Sequence, residues 1–130
     1  RLIEHLKKTN PQLNVTGYTV NGTAAPNVQS LRASEIRTNH GGTTFRLDSL
    51  FGSAQIKTQL VGQFNVSNVL GIFGVLLAKG VAFKAACEAV ETLTSVPGRM
   101  QQLGGQEAPL VVIDYAHTPD ALEKTLATLR

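Results

Sequence analysis

The chain is organised around one stretch, Leu110-Val111-Val112-Ile113-Asp114-Tyr115-Ala116-His117-Thr118-Pro119-Asp120. Its first four residues are aliphatic without alternation, which predicts a strand covered on both faces of a parallel sheet. The polar turn that follows places Asp114, Tyr115 and His117 at the carboxyl end of that strand, where open α/β sheets bind their ligands. Thr118 is predicted to cap the next helix, with Pro119 at its first position. The stretch therefore predicts a strand, a turn that carries functional groups, and a helix.

The composition limits the class of protein. The net charge of +3 comes from Lys and Arg scattered along the chain, which argues against a nucleic-acid partner. The apolar stretch 66–78 is too short to span a membrane, and no basic-then-apolar signal opens the chain, so we predict a cytoplasmic protein without a membrane partner. Cys87 is the single cysteine and is interpreted as core filling. Because the chain begins without Met and stops inside a predicted helix, we expect an excerpt of a longer protein.

The first half of the chain predicts a helix and then strands. A helix is expected at residues 1–8 and a strand at 15–20, followed by a turn at Asn21-Gly22 and a loop at Ala24-Ala25-Pro26. Residues 28–37, 43–47 and 55–61 alternate in polarity and predict an antiparallel meander with one wet face. His40, in the first turn of the meander, lacks a second ligand at suitable spacing, so it is interpreted as a solvated loop residue and not as a metal ligand.

The second half predicts helices and a hinge. Apolar residues surround the helix expected at 65–79 on nearly all sides, so it should be buried between other elements, with Gly80 ending it. The next helix, about 82–94, has an inner stripe of Phe83, Ala86, Val90 and Leu93. Pro97-Gly98 indicates an interdomain hinge, followed by a short strand at 100–103 and a loop at 104–109. The last helix should pack Leu122, Leu126 and Leu129 on a sheet.

Polar side chains near these boundaries could bind a ligand. Asn65 and Asn68 lie three residues apart at a helix start, so both amides can reach one ligand, and an amide offers the donor and acceptor that the edge of adenine requires. The alternative is that Asn65 only caps the helix. Arg99 could bind a phosphate bidentately when two domains close, or could be an ordinary exposed arginine. Asp114 could accept two ribose hydroxyls or could cap the turn, and for Tyr115 packing is favoured over ligand contact.

The chain resembles the Mur ligase family in three strings, which occur in the family's order and spacing. They are Gly62-Gln63-Phe64-Asn65-Val66-Ser67-Asn68, Val96-Pro97-Gly98-Arg99-Met100 and Asp114-Tyr115-Ala116-His117-Thr118-Pro119-Asp120-Ala121-Leu122. The resemblance covers about residues 30–130 and is to the type that adds the third amino acid to the UDP-N-acetylmuramoyl dipeptide (MurE type). It implies an α/β fold in three parts. Residues 1–95 would be the late part of a central ATP-binding domain, an antiparallel β meander plus helices, residues 96–109 an interdomain hinge, and residues 110–130 the first β-α unit of a Rossmann-like C-terminal domain.

The resemblance also implies an activity and a set of ligands. Mur ligases use ATP to make an acyl phosphate on the muramyl peptide, and an incoming amino group then attacks it to form an amide. The implied substrates are UDP-N-acetylmuramoyl-L-alanyl-D-glutamate and a diamino acid, either diaminopimelate or lysine, and Mg²⁺ would be held by ligands outside this stretch. The implied ATP-binding residues are Asn65 and Asn68 against the adenine, Arg99 in the hinge, and Asp114 and His117 near the nucleotide.

Several parts of such an enzyme are missing from this stretch. It contains no Gly-Lys-Thr phosphate loop, no recognisable modified-lysine segment and no motif that selects the incoming amino acid, so we assign no catalytic residue and expect the stretch alone to be inactive. One alternative is another amide ligase of the superfamily, such as a folylpolyglutamate-synthase-like enzyme. The other is a non-catalytic binding module, which should show no affinity for adenine nucleotides. The asparagine string together with the Asp-Tyr-Ala-His string favours the muramyl branch.

Overall fold

The structure, a computed structural model, describes residues 2–23, 28–105 and 107–129. The loop predicted at Ala24-Ala25-Pro26 lies outside the described residues. The elements in chain order are α1 (Leu2–Thr9), β1 (Thr16–Val20), β2 (Gln29–Asn39), β3 (Gly42–Ser49), β4 (Gly52–Thr58), α2 (Gln63–Ala78), α3 (Phe83–Glu91), β5 (Gln101–Leu103), β6 (Val111–Ile113) and α4 (Pro119–Leu129). No helix within these ranges is long and apolar enough to cross a bilayer.

The first sheet has the strand order β1-β2-β3-β4. Strands β2, β3 and β4 are antiparallel neighbours, which confirms the predicted meander. The sheet also has a feature that was not predicted, because β1 pairs with β2 in parallel. In β2 the register shifts between Ser34 and Arg37, where Glu35 has a φ of +53°, so the strand contains a bulge.

The core lies between one face of this sheet and the helices α2 and α3. Alternate residues of the strands point into it, since side chains two apart on a strand share a face. The ring of Phe73 in α2 meets that of Phe83 in α3 edge to face, with ring centroids 5.5 Å apart. The buried residues of this core are Leu31, Ala33, Phe45, Leu47, Ile56, Leu60, Val66, Val69, Leu70, Phe73, Ala86 and Val90.

Helix α2 differs from its prediction in burial but not at its C-terminal end. Ile72 is 42% exposed and Val75 61% exposed, so among the described residues only the face of α2 that meets the sheet and α3 is buried. Burial on the remaining sides stays a prediction. Gly80 does end the helix as predicted. Its φ is +82°, its N–H donates to Leu77 O at 2.9 Å and that of Val81 donates to Leu76 O at 3.0 Å, which is the pattern of a Schellman motif. Helix α3 is shorter than predicted and ends at Glu91.

The C-terminal elements are more open than predicted. Strand β6 pairs with β5 alone among the described strands, and this pairing is antiparallel. The parallel sheet expected around β6 is therefore not seen among the described residues and stays a prediction. Val111 is 51% exposed because no second layer of described residues covers it. Helix α4 buries no described residue, and Leu122 and Leu126 are exposed, so their predicted packing on a sheet is not seen among the described residues and stays a prediction. The helix start is confirmed, since Thr118 Oγ1 accepts a hydrogen bond from Ala121 N at 3.3 Å and Pro119 is the first helical residue.

Candidate functional site

The linker turn, residues 96–99, connects the two sheets and is closed by a hydrogen bond from Arg99 N to Val96 O at 2.9 Å. Pro97 stands at its second position and Gly98, with a φ of +74°, at its third. These are the residues that a type II turn prefers, because proline fixes the first φ and glycine accepts the positive one. The turn is followed by Met100, which is buried although its φ is +47°. A methionine in this left-handed conformation must be stabilised by its surroundings.

The carboxylate of Asp114 provides that stabilisation. Its Oδ2 accepts a hydrogen bond from Met100 N at 2.9 Å, and its Oδ1 accepts one from Ala116 N at 2.8 Å. The hydroxyl of Thr125, in α4, lies 3.5 Å from Oδ1. Hydrogen bonds to an ionised acceptor are stronger than neutral ones. Asp114 therefore links three segments, namely the linker, α4 and the turn that follows β6. This arrangement agrees with the alternative that Asp114 caps the turn. Contact between Asp114 and a ribose stays a prediction.

Arg99, Tyr115 and His117 form a cluster beside this carboxylate. The Cζ atom of Arg99 lies 5.5 Å from the centroid of the Tyr115 ring. The His117 ring meets the same ring edge to face at 5.4 Å, and its Nδ1 lies 3.1 Å from Tyr115 O. The backbone N–H of Tyr115 donates to Gly98 O at 2.9 Å. Tyr115 is 69% exposed, so the packing role that we predicted for it is limited to these two neighbours.

The amide pair, Asn65 and Asn68, lies inside the first turns of α2. This helix begins at Gln63, with Gly62 as its N-cap residue and no side-chain cap, so the alternative that Asn65 caps the helix is wrong. Asn65 Nδ2 instead donates to Val61 O at 2.9 Å, and Asn68 Nδ2 donates to Asn65 Oδ1 at 3.3 Å. The two amides are therefore adjacent. Within the described ranges, no donor lies at hydrogen-bond distance from Asn68 Oδ1, which can still accept a bond from a ligand.

A small cavity of about 240 Å³ lies between Asn65 of α2 and Met100, which directly follows the linker turn. Asn65 and Met100 both line it, and Met100 is the residue that Asp114 binds. Gln102 lines it as well, and its buried Nε2 has no hydrogen-bond partner among the described residues. The complete lining is His40, Gly41, Gln59, Val61, Asn65, Ser95, Met100 and Gln102. Among the five predicted ATP-binding residues, this lining includes Asn65 and none of the other four.

A large cleft of about 1020 Å³ lies between the start of α2 and helix α4. It contains Tyr18, Gln63 and Lys124 but none of the five predicted ATP-binding residues. Gly62, with a φ of +103°, lies close to α4, because a Cβ atom there would lie 2.9 Å from Thr128 Cγ2. In the part of the chain that the structure describes, no group of three or more His, Cys, Asp or Glu side chains could hold a metal ion.

Sequence reasoning missed Met100, Gln102 and Thr125. Nothing in a methionine indicates a positive φ, and a glutamine in a three-residue strand carries no functional pattern. The bond from Met100 N to Asp114 spans fourteen residues and depends on the pairing of β5 with β6. The sequence could have suggested this hydrogen bond only if the pairing of β5 with β6 had been known in advance.

Comparisons with known proteins agree with these strings and this fold. The chain matches the family model of the Mur ligase middle domain over residues 1–76 and that of the Mur ligase glutamate ligase domain over residues 98–130. It is 64% identical over all 130 residues to the UDP-N-acetylmuramoyl-L-alanyl-D-glutamate--2,6-diaminopimelate ligase of Janthinobacterium sp. (strain Marseille). It is 39% identical, also over its whole length, to the enzyme of the same name from Coxiella burnetii (strain RSA 493 / Nine Mile phase I).

The chain spans about a quarter of these relatives, since it covers 26% of the length of each. A solved structure of an enzyme with the same name superposes with a TM-score of 0.77 at 32% identity, covering 98% of this chain and 25% of that one. The predicted mixed α/β fold class is thereby confirmed, while our boundaries at residues 95/96 and 109/110 stay a prediction. From its match to the middle-domain model over more than half its length, and from relatives this similar, the chain belongs to the Mur ligase family.

Proposed function

We propose that the full-length protein is an ATP-dependent ligase of peptidoglycan precursor synthesis. In the proposed reaction it adds the third amino acid to UDP-N-acetylmuramoyl-L-alanyl-D-glutamate through an acyl-phosphate intermediate. The names of the two relatives favour diaminopimelate over lysine as the incoming amino acid, and they favour the muramyl branch over a folylpolyglutamate-synthase-like enzyme. Since the reaction consumes ATP, the proposal places it in the cytoplasm. The 130-residue stretch alone is proposed to be inactive.

The observation that carries the proposal is the small cavity shared by Asn65 and Met100. An adenine nucleotide needs a donor and an acceptor for its base and positive charge for its phosphates. The amide pair offers the first on one side of the cavity, and Arg99, directly before Met100, offers the second. Asp114 is linked to Met100, because its Oδ2 accepts a hydrogen bond from Met100 N. Of the predicted residues, Asn65 lines the cavity, whereas Arg99 and Asp114 adjoin it through Met100, and we propose that all of them contact one nucleotide.

The side chains present fit such a ligand. In the described part of the chain, no acceptor binds the guanidinium of Arg99, so its N–H groups are available to a phosphate. A carboxylate can accept about four hydrogen bonds, so Asp114 retains room for a ribose hydroxyl beside the two backbone bonds that it already accepts. His117 has one ring nitrogen near Tyr115 O, and the other remains for a ligand. ATP would supply the phosphoryl group, and the ligands of Mg²⁺ are proposed to lie elsewhere in the protein.

In the proposed mechanism these residues bind and orient the nucleotide and take no part in bond making. The amide pair fixes the base against α2. The linker turn allows the C-terminal elements to approach α2, which moves Arg99 and Asp114 towards the nucleotide and excludes water from it.

Steady-state kinetics of the full-length protein test the proposal. The assay supplies the muramyl dipeptide, diaminopimelate, ATP and Mg²⁺ and follows ADP and the tripeptide product. We expect Arg99→Ala to raise the KM for ATP about tenfold or more, because it removes a charge-assisted contact worth about 1.5–3 kcal/mol. The KM for the muramyl substrate should stay unchanged. Arg37→Ala, at an exposed arginine in β2, is the matched control.

Two results would contradict the proposal. If the full-length protein forms no ADP with the muramyl dipeptide and either diamino acid, the assigned reaction is wrong. If Arg99→Ala raises the KM values of ATP and the muramyl substrate equally, the assignment of this site to the nucleotide is wrong.

A further inference from the structure

We propose that Tyr115 is a positioning residue for Arg99. In this inference the face of the Tyr115 ring holds the guanidinium in place without accepting its N–H groups, which remain available to the phosphates of a nucleotide. The inference rests on the proposed function, because it assigns a role to a neighbour of the proposed nucleotide site. It goes beyond that function by naming a residue that would act only through Arg99.

The guanidinium of Arg99 is in contact with the ring of Tyr115. Arg99 Cζ lies 5.5 Å from the centroid of the Tyr115 ring, within the distance of about 6 Å at which a cation is attracted to an aromatic face. Among the described residues, Tyr115 is the only side-chain partner of Arg99, since no carboxylate or carbonyl accepts from the guanidinium. An exposed arginine without an ion pair otherwise samples many rotamers. The ring therefore selects one region of space for this charge.

The ring of Tyr115 is itself held in place by its neighbours. Tyr115 N donates to Gly98 O at 2.9 Å, so its backbone is fixed to the residue before Arg99. His117 meets the ring edge to face, with centroids 5.4 Å apart, and its Nδ1 lies 3.1 Å from Tyr115 O. The ring thus belongs to the turn after β6, while the guanidinium belongs to the linker turn. Their contact fixes the direction of Arg99 relative to Asp114.

An Arg99 side chain that is held by an aromatic ring can still bind a phosphate. A guanidinium has five N–H donors, and contact with an aromatic ring provides no carboxylate or carbonyl acceptor for them, so they remain available to a bidentate phosphate. A partner carboxylate would occupy those donors and would have to be displaced. Tyr115 itself is 69% exposed, and hence a ligand can approach the pair from solvent. An aromatic ring is therefore better suited than an acidic residue to hold this arginine in advance.

The experiment measures ADP affinity and ATP kinetics of the full-length protein with Tyr115→Leu and Tyr115→Phe. Tyr115→Leu removes the π face, and we expect the Kd for ADP and the KM for ATP to rise about two- to fivefold, which corresponds to an exposed cation–π contact. Tyr115→Phe keeps the face and should match the unsubstituted protein. The value of kcat at saturating ATP and the KM for the muramyl substrate should not change in either variant.

A double-mutant cycle separates positioning from direct contact. If Tyr115 acts through Arg99, Tyr115→Leu has no further effect on the Kd for ADP in the Arg99→Ala background. An equal loss in both backgrounds overturns the inference, because the ring would then contact the nucleotide or act only on folding. Equal losses for Tyr115→Phe and Tyr115→Leu overturn it as well, because they would assign the effect to the hydroxyl.

The same cycle distinguishes this inference from the proposed function. If Arg99→Ala weakens ADP binding and Tyr115→Leu does not, only the positioning role of Tyr115 fails. If Arg99→Ala itself leaves ADP binding unchanged, the proposed nucleotide site fails, and with it the inference.

Discussion

The carboxylate of Asp114 accepts the backbone N–H of Met100 at 2.9 Å and thereby stabilises a buried methionine whose φ is +47°. The contact joins the end of β6 to the residue that directly precedes β5. Because Asp114 Oδ1 also accepts from Ala116 N, one side chain satisfies two backbone donors that no strand pairs. The conformation of the linker therefore depends on a residue in the following elements.

Asp114→Asn is expected to loosen the linker. An amide has one acceptor oxygen, so one of the two backbone N–H groups loses its acceptor and faces an NH₂ group, at a cost of about 1–3 kcal/mol. The measurement is hydrogen exchange of the full-length protein, in which peptides containing Met100 should exchange faster. Asp120→Asn is the matched control, because Asp120 is exposed and its pair with Lys124 should contribute at most about 0.5 kcal/mol. Unchanged exchange at Met100 in Asp114→Asn would show that the contact does not stabilise the linker.

The two members of the amide pair are expected to respond differently to alanine. Asn65→Ala leaves Val61 O without its donor, so it should lower Tm as well as raise the KM for ATP. Asn68 is exposed, and among the described residues its side chain bonds only to Asn65, so Asn68→Ala should raise the KM for ATP at nearly constant Tm. Thermal melting and steady-state kinetics of the full-length protein check both, with Asn14→Ala at an exposed position as control. Equal increases in the KM values of ATP and the muramyl substrate would instead indicate a structural role for the pair.

Gly62→Ala is expected to destabilise the protein more than Gly80→Ala. Both glycines have a positive φ, +103° and +82°, which disfavours alanine at either position. The two differ in their surroundings, because a Cβ at Gly62 would lie 2.9 Å from Phe64 Cε1 and from Thr128 Cγ2, whereas one at Gly80 would meet nothing within 4 Å. The expected cost is therefore about 1 kcal/mol at Gly80 and more at Gly62. Melting temperatures of the two full-length variants test this order, and the reverse order would contradict the close approach of α4 to α2.

Cys87 is expected to react slowly with alkylating reagents at neutral pH. Burial raises the pKa of this thiol above its ordinary value of 9.0, and the carboxylates of Glu91 and Glu88 raise it further. The reactive thiolate is therefore scarce at pH 7.5, and the rate should increase only as the pH approaches and passes 9. Mass spectrometry of the Cys87 peptide after timed iodoacetamide treatment measures the rate, and the same protein unfolded in urea serves as control. Labelling of the folded protein as fast as that of the unfolded protein would contradict the raised pKa.

Local signals in the sequence correctly predicted the C-terminal end of α2 and the start of α4. Gly80 and Thr118 act through bonds to residues at most four positions away, so their residue types alone determine the outcome. The meander was predictable for a related reason, because alternation in β2, β3 and β4 reports directly which face is buried. The adjacency of Asn65 and Asn68 follows from helical spacing in the same way.

Contacts between distant segments were not predictable. An apolar run such as residues 110–113 indicates that a strand could be buried but does not indicate which strand pairs with it, so the antiparallel pairing of β6 with β5 was not predicted. The start of α2 at Gln63 was missed because Gly62 caps it through its backbone conformation and offers no side-chain signal. For the site, the residue types were available from the strings, but the link from Asp114 to Met100 depends on a strand pairing that no local pattern specifies.

The exposed aliphatic side chains of β6 and α4 have a practical consequence for handling this stretch. Val111, Ile113, Leu122 and Leu126 are 42–61% exposed, and β6 presents an edge that no described strand pairs. Such edges and apolar patches promote self-association. A recombinant 130-residue product should therefore form concentration-dependent oligomers or precipitate, and light scattering would reveal this before any binding assay is interpreted.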